Sequence, residues 1–222
     1  MRIHREGWAT LAGLAVFIMA TGGFAWYFQL TPLLVLTAIV MVLFVFVIYF
    51  FRDPERRPPE GLQYVVSPAD GKVVDVVDIN EKEFFKESVT RISIFLSLFD
   101  VHVNCSPLCG QSGTSLKCKR GNFYPAQTER AAKCNVSLFT GLETEYGKLA
   151  FRQITGMLAR RIVNYLKHDQ RVDTGQKIGI IKFGSRVEVY LTDAFECRVQ
   201  EGDRVRAGES IIAAVADRNH AR

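Results

Sequence analysis

The sequence predicts a mainly β domain of the β-sandwich (barrel-sandwich) type, carried behind an N-terminal transmembrane helical hairpin. Three observations carry that expectation. From Gly7 to Phe51 there is no Asp, Glu, Lys, Arg or His. Beyond residue 60, short runs rich in β-branched and aromatic residues alternate with Gly, Pro and Asp turn signals. Within that region a pattern recurs, Arg171-Val172-x-x-Gly175-x-x-Ile178 returning as Arg204-Val205-x-x-Gly208-x-x-Ile211. The hydrophobic share of 48% is thus an average over two unlike parts of a 222-residue chain.

The uncharged stretch is too long for one span, because ~20 helical residues at ~1.5 Å each cross the hydrocarbon core. It divides naturally into helices at about 8–28 and 33–51, with Gln29-Leu30-Thr31-Pro32 at the turn. Pro32 suits the first turn of a helix, where its missing N–H costs nothing. Trp26, Tyr27 and Tyr49 fall where interfacial aromatics belong. Arg2 and Arg5 precede the hairpin, and Arg52, Arg56 and Arg57 follow it. Positive charge at both ends puts both in the cytoplasm, so the expected location is the inner cell membrane with the soluble part on the cytoplasmic side. A doubled apolar run with no A-x-A site before the arginines does not read as a cleaved signal peptide. Residues 1–51 are then the anchor, 52–60 a charged Pro-rich linker, and 61–222 a folded domain outside the membrane.

In that domain Tyr64–Val66, Lys72–Ile79, Arg91–Leu98, Val136–Leu142, Leu149–Ile154, Lys177–Phe183 and Val187–Leu191 read as strands. Thr155–Leu166 fits either a helix or a strand. Each unit of the repeat reads as strand, glycine turn, strand. With Ser67-Pro-Ala-Asp-Gly-Lys-Val73, it resembles the compact β-sandwich of biotinyl and lipoyl carrier domains. No Met-Lys-Met is present, so this resemblance concerns the fold. It leaves an alternative reading: a membrane-tethered biotinyl- or lipoyl-like binding module without catalysis.

Cys105, Cys109, Cys118, Cys134 and Cys197 form no C-x-x-C pair and have no histidine at zinc-like spacing. Their odd number suits reduced thiols, and no metal is expected. The formal net charge of +5 comes without zinc-finger spacing or an aromatic–basic RNA-binding run. Beside an apolar anchor it suits a membrane surface, and no nucleic acid is expected.

Chemistry concentrates in Ile178-Gly-Ile-Ile-Lys-Phe-Gly-Ser-Arg-Val-Glu-Val-Tyr-Leu191, where Gly184-Ser185 lies between two apolar runs. Alone, Gly-Ser is a turn, and it is not a Gly-x-Ser-x-Gly elbow. Further motifs accompany it: Ile3-His-Arg-Glu-Gly7, Phe51-Arg-Asp-Pro54, Ser67-Pro-Ala-Asp-Gly-Lys-Val73 and Phe95-Leu-Ser-Leu-Phe-Asp-Val-His-Val-Asn104. Glu143-Thr-Glu, Gln153-Ile-Thr-Gly-Met-Leu-Ala-Arg-Arg-Ile162 and Phe183-Gly-Ser-Arg-Val187 complete the set. In order and spacing the chain resembles the short, membrane-anchored form of the phosphatidylserine decarboxylase proenzyme family over nearly its whole length.

That resemblance implies autocatalytic cleavage at Gly184-Ser185, giving chains 1–184 (β) and 185–222 (α) that stay together as a heterodimer, with higher assembly left open. The Ser185 hydroxyl would attack the Gly184 carbonyl. Elimination and loss of ammonia would then leave a covalent pyruvoyl group at 185, the expected cofactor. Pyruvoyl would form a Schiff base with phosphatidylserine in the membrane, releasing CO2 and giving phosphatidylethanolamine. A serine hydroxyl needs an oriented base. Of His4, His102, His168 and His220, only His102 follows an apolar strand. Asp70, in the family's Ser-Pro-Ala-Asp-Gly, would orient His102 by the logic of a Ser-His-Asp triad. Asp100 is the rival carboxylate, because alternation in a strand puts 100 and 102 on one face. After maturation His102 would protonate the product carbanion. Arg160, Arg161 and Arg186 are candidates for the lipid phosphate, since guanidinium pairs bidentately with such oxygens; ordinary surface charge is the competing reading. Two positions depart from the family pattern. Cys105 stands where longer members carry a second histidine, and Thr192 where proline is frequent.

Overall fold

The computed structural model describes residues 2–61, 63–82, 84–119, 124–126, 128–156, 161–182 and 185–216. Two compact units are present, Met1–Glu55 and Arg56–Arg222, their boundary falling inside the charged Pro-rich segment.

The first unit holds β1 (Arg2–Ile3), α1 (Trp8–Tyr27), α2 (Thr31–Phe50) and β2 (Arg52–Asp53). Each helix has 20 residues, a length of about 30 Å, and both are apolar enough to cross a membrane. Gln29 makes the turn between them at φ 54°, and Pro32 lies in the first turn of α2. The antiparallel pairing of β1 with β2, Arg2 opposite Asp53, brings the two ends of the hairpin together. Midway, Thr37 Oγ1 donates to Thr21 Oγ1 (3.1 Å), a polar link between two helices whose outward residues, such as Trp26 and Val42, are exposed and apolar.

The second unit is almost entirely antiparallel β. Its strands are β3 (Tyr64–Val66), β4 (Gly71–Glu81), β5 (Glu87–Leu96), β6 (Val103–Cys105) and β7 (Gly110–Lys119). After a short helix, α3 (Glu129–Cys134), come β8 (Ser137–Thr144), β9 (Gly147–Thr155), β10 (Arg161–Asn164), β11 (Arg171–Val172) and β12 (Lys177–Lys182). The last four are β13 (Ser185–Leu191), β14 (Phe195–Cys197), β15 (Arg204–Val205) and β16 (Ile211–Val215). An eight-stranded sheet runs β11-β7-β8-β9-β13-β5-β4-β15, and two three-stranded sheets run β10-β12-β6 and β14-β16-β3. The core forms where one face of the large sheet (Ile92, Ile94, Leu96, Phe151, Val187, Val189) meets Val65, Ile178, Ile181 and Ile212 of the small sheets. Each such side chain contributes about 1.5–3 kcal/mol on burial. Of the segment Thr155–Leu166, read from sequence as helix or strand, residues 161–164 are strand.

The glycine repeat is half of a larger internal symmetry. Gly175 and Gly208 both have positive φ, 74° and 71°, and a Cβ on Gly208 would stand 3.8 Å from Gly175 Cα. Only glycine adopts that backbone freely, which is why each unit turns there. Each unit pairs with a matching Ser-Pro-x-x-Gly segment. Gly208 N donates to Ser67 O (2.8 Å) and Gly175 N to Ser106 O (2.9 Å). Val205 lies opposite Gly71 and Val172 opposite Gly110. The two segments then cross-link reciprocally, Val66 N to Pro107 O (2.8 Å) and Cys105 N to Pro68 O (3.0 Å).

Asp70 belongs to this seam. Its Oδ1 accepts from Ala207 N (2.8 Å), and Arg56 embraces the carboxylate, Nη2 to Oδ2 at 2.7 Å. Arg56 Nη1 also donates to Ala207 O (3.0 Å), so the segment entering the domain is pinned to the second glycine turn. Burial alone would lower the Arg56 pKa, but the hydrogen bond and charge of Asp70 outweigh it and raise it, so the guanidinium stays ionised. Both side chains are nearly buried, at 12% and 13% exposure. Arg56→Met is therefore expected to strand the carboxylate and cost about 3 kcal/mol, measured by denaturant titration of the detergent-solubilised protein. Asp70→Asn, which keeps the acceptor for Ala207, should cost less.

Candidate active site

Ser185 is the first residue of β13, the strand held between β5 and β9. Leu96 and Thr155 flank it on the two sides, and all three are fully buried. Strand alternation sends Ser185, Val187, Val189 and Leu191 to one face, and the last three line the core. Among the described residues the Ser185 hydroxyl has no hydrogen-bond partner. A buried hydroxyl left so costs about 1–3 kcal/mol, which makes it a position that asks for a reason.

Two links in the fold relate His102 to Ser185. Six residues before the histidine, Leu96 is the ladder partner of Ser185. Just after it, β6 pairs with β12, the strand that leads through residues 183–184 into Ser185, and Ile181 N donates to His102 O (3.3 Å). The imidazole is fully buried. Its Nδ1–H donates to the carbonyl oxygen of Asp100 (2.9 Å), because a carbonyl can only accept. In the neutral ring the basic lone pair is then on Nε2.

Several expected partners fall elsewhere. The Asp70 carboxylate hydrogen-bonds Arg56 and Ala207 and not His102; its orienting role for the histidine gives way to a structural one. Asp100 also does not present its carboxylate to His102. Residues 97–102 form a turn and not a strand, so alternation fails, and Asp100 Oδ2 accepts from Ser97 N (2.8 Å) and Oγ (2.6 Å). It is the Asp100 backbone carbonyl, not the carboxylate, that meets the imidazole. Arg186 is on the sheet face opposite Ser185, 1% exposed, donating to Asp75 Oδ2 (2.8 Å) and Ser93 Oγ (2.6 Å), with Glu188 Oε1 at 3.1 Å. A guanidinium so enclosed is not available to a lipid phosphate. On that face Tyr190 donates to Glu188 Oε2, and burial followed by the Glu188 charge pushes its phenol far above the ordinary range. Arg161, at the start of β10, is exposed and lies opposite Lys182, two residues before Gly184. Gly184 and Arg160 lie outside the described residues. Cys105 is buried, its Sγ 3.6 Å from where a Cβ of Gly208 would be, beside the Asp70 seam.

The family model described as phosphatidylserine decarboxylase matches residues 43–213, a span that includes Asp70, His102 and Ser185. The chain belongs to the phosphatidylserine decarboxylase family. A phosphatidylserine decarboxylase proenzyme of Carboxydothermus hydrogenoformans is 40% identical over 214 residues, 96% of each chain. One of Desulfotalea psychrophila is 38% identical over 182 residues, 82% of this chain and 85% of that protein. Both relatives are named as proenzymes, and the first is similar through the apolar helices as well as the β unit. In this member of the phosphatidylserine decarboxylase family, sequence reasoning singles out Ser185 and His102 as candidates. It missed Gln153 and Asn104, fully buried amides near them, although both lie inside the motifs that carried the resemblance. A polar side chain in an otherwise apolar alternating strand, Leu149-x-Phe151-x-Gln153, is the signal that marks the first of them.

Proposed function

We propose that the chain is a phosphatidylserine decarboxylase proenzyme that cleaves itself between Gly184 and Ser185. The single observation that carries this reading is the buried Ser185 hydroxyl, without a partner among the described residues, in a chain of this family. In the first step Ser185 Oγ attacks the Gly184 carbonyl carbon. The C–N bond breaks, a C–O ester bond forms, and the proton of Oγ passes by way of a base to the nitrogen. His102, with its lone pair on Nε2, is the candidate for that transfer. Loss of the Ser185 α-proton then expels the Gly184 carboxylate and leaves dehydroalanine at 185. Tautomerisation, addition of water and departure of ammonia give a pyruvoyl end on the 185–222 chain. That site fits the group, since residue 185 is fully buried and backed by paired strands on both sides.

The pyruvoyl group supplies an electron-withdrawing ketone, the sink that decarboxylation of an amino acid needs. The chain's own residues do the rest. Leu96 and Thr155 hold residue 185 by two ladders, and His102, once Nε2 has taken up a proton from solvent, would deliver it to the product carbon. Exposed Arg161, with Arg160 beside it, is the candidate for the lipid phosphate. The apolar hairpin would keep the enzyme where such a lipid lies. Mixed micelles containing phosphatidylserine are expected to release CO2 and yield phosphatidylethanolamine, whereas free serine should not react. Turnover of neither, by protein that has split, would overturn the substrate.

Cleavage leaves β13 to β16 on the short chain, and three of these strands pair with the long one: β13 with β5 and β9, β15 with β4, β16 with β3. The two chains are therefore expected to elute together from a sizing column in mild detergent and to separate only on denaturation.

A further inference from the structure

A row of buried amides joins the sheet that carries Ser185 to the small sheet next to His102. Gln153 lies on β9, two residues before Thr155, and strand alternation puts it on the same face as Ser185. Its Nε2 donates to Asn104 Oδ1 on β6 (2.7 Å), and its Oε1 accepts from Asn164 Nδ2 on β10 (3.2 Å). Asn104 and Asn164 sit on one rung of the small sheet, both opposite Gly179 of the central strand β12. One carboxamide thus spans that sheet from edge to edge. The row continues in both directions: Leu166 N donates to Asn164 Oδ1 (2.7 Å), and Asn104 Nδ2 donates to Pro68 O (3.3 Å). Every amide in it donates one way and accepts from the other, an arrangement in which each bond polarises the next.

Its location ties it to the reaction proposed above, on which this inference rests. β12 runs directly into the segment to be cut, and Asn104 is two residues beyond His102. β6 has only three residues, and its ladder partner is β12. The Gln153–Asn104 bond fixes that short strand on β9, which in turn pairs with Ser185 through Thr155. A fully buried glutamine amid Phe151, Val187 and Val189 is costly unless both ends of its carboxamide are satisfied. We infer that Gln153 is a positioning residue: its carboxamide sets His102 and the strand entering the scissile bond in register with Ser185, and so controls the rate of self-cleavage.

The test uses full-length precursor from cell-free synthesis in detergent micelles, with cleavage followed on denaturing gels between about pH 5 and 8. Gln153→Met keeps length and loses both bonds; it is expected to split at least ~10-fold more slowly than wild type, about 1.4 kcal/mol of barrier. Gln153→Glu keeps the acceptor for Asn164 but has a donor for Asn104 only when protonated, and burial raises a carboxyl pKa. Its rate relative to wild type should therefore fall about tenfold as pH rises. A residue that merely fills space would show no such pH dependence. Val189→Ala, a cavity in the same core without an amide, is the control for lost stability. Wild-type cleavage by Gln153→Met overturns the inference, as does a Val189→Ala rate equally depressed at matched melting temperature. Should Gln153→Met not fold, the pH ratio of Gln153→Glu decides alone, and a flat ratio overturns it. Wild type that never splits would instead sink the proposed function, and this inference with it.

Discussion

Ser185→Ala is expected to give a single chain of 25.0 kDa with no decarboxylase activity. The alanine lacks the oxygen on which both bond cleavage and the later ketone depend, so the loss should be complete and not graded. The fold should survive. Position 185 keeps its backbone ladders to Leu96 and Thr155, and the substitution removes a hydroxyl that has no partner among the described residues. Deleting an unsatisfied buried polar group is close to neutral for stability. A denaturing gel beside a thermal melt separates the two effects: one band with an unchanged melt is the expected pair of results. Two bands from this variant would remove Ser185 from the chemistry.

His102→Ala is expected to slow self-cleavage by about 10²–10⁴, the usual worth of a positioned acid–base group. His102→Asn makes the sharper comparison. Its side-chain amide can still donate to the Asp100 carbonyl, as Nδ1 does at 2.9 Å, but it offers no basic nitrogen. If the imidazole acts as base, the asparagine variant should be as slow as the alanine one. If it serves only to hold the turn at 97–100, asparagine should restore most of the rate. Pulse–chase of the precursor reads this directly, and full-rate cleavage in both variants would dismiss His102.

The hairpin was legible because charge is absent from 45 consecutive positions and a proline marks the turn. The observed helices, Trp8–Tyr27 and Thr31–Phe50, match the expected ones within two residues. Strands with β-branched runs, such as Arg91–Leu98, were legible for the same kind of reason. Gly110–Lys119 was not, since Gly-Gln-Ser-Gly-Thr-Ser-Leu-Lys-Cys-Lys offers no apolar alternation. The repeat showed one half of the pseudo-symmetry through its glycines. The other half, Ser67-Pro68 to Gly71 and Ser106-Pro107 to Gly110, is short enough to pass as two ordinary turns.

At the site, sequence delivered residue types more readily than partners. Asp70 pairs with Arg56, fourteen positions away, and no local periodicity announces such an ion pair. Alternation in a strand would put the Asp100 carboxylate beside His102, yet the chain turns there and the imidazole meets the Asp100 carbonyl instead. For Arg186 alternation does decide: in a strand beginning at 185, residue 186 must face away from its neighbour. The amide row could not be read, because Asn104, Gln153 and Asn164 come from three separate strands and meet only when the sheets pack.

Everything chemical here turns on what stands at residue 185 after folding, and intact-mass spectrometry of the purified active protein reads it directly. Two chains are expected, 1–184 with a plain carboxyl end and 185–222 lighter by one ammonia than the same peptide starting with serine. Their summed mass should equal that of the precursor plus one water less one ammonia. An active protein whose short chain begins with ordinary serine, or one that turns over its lipid while still a single polypeptide, would contradict it.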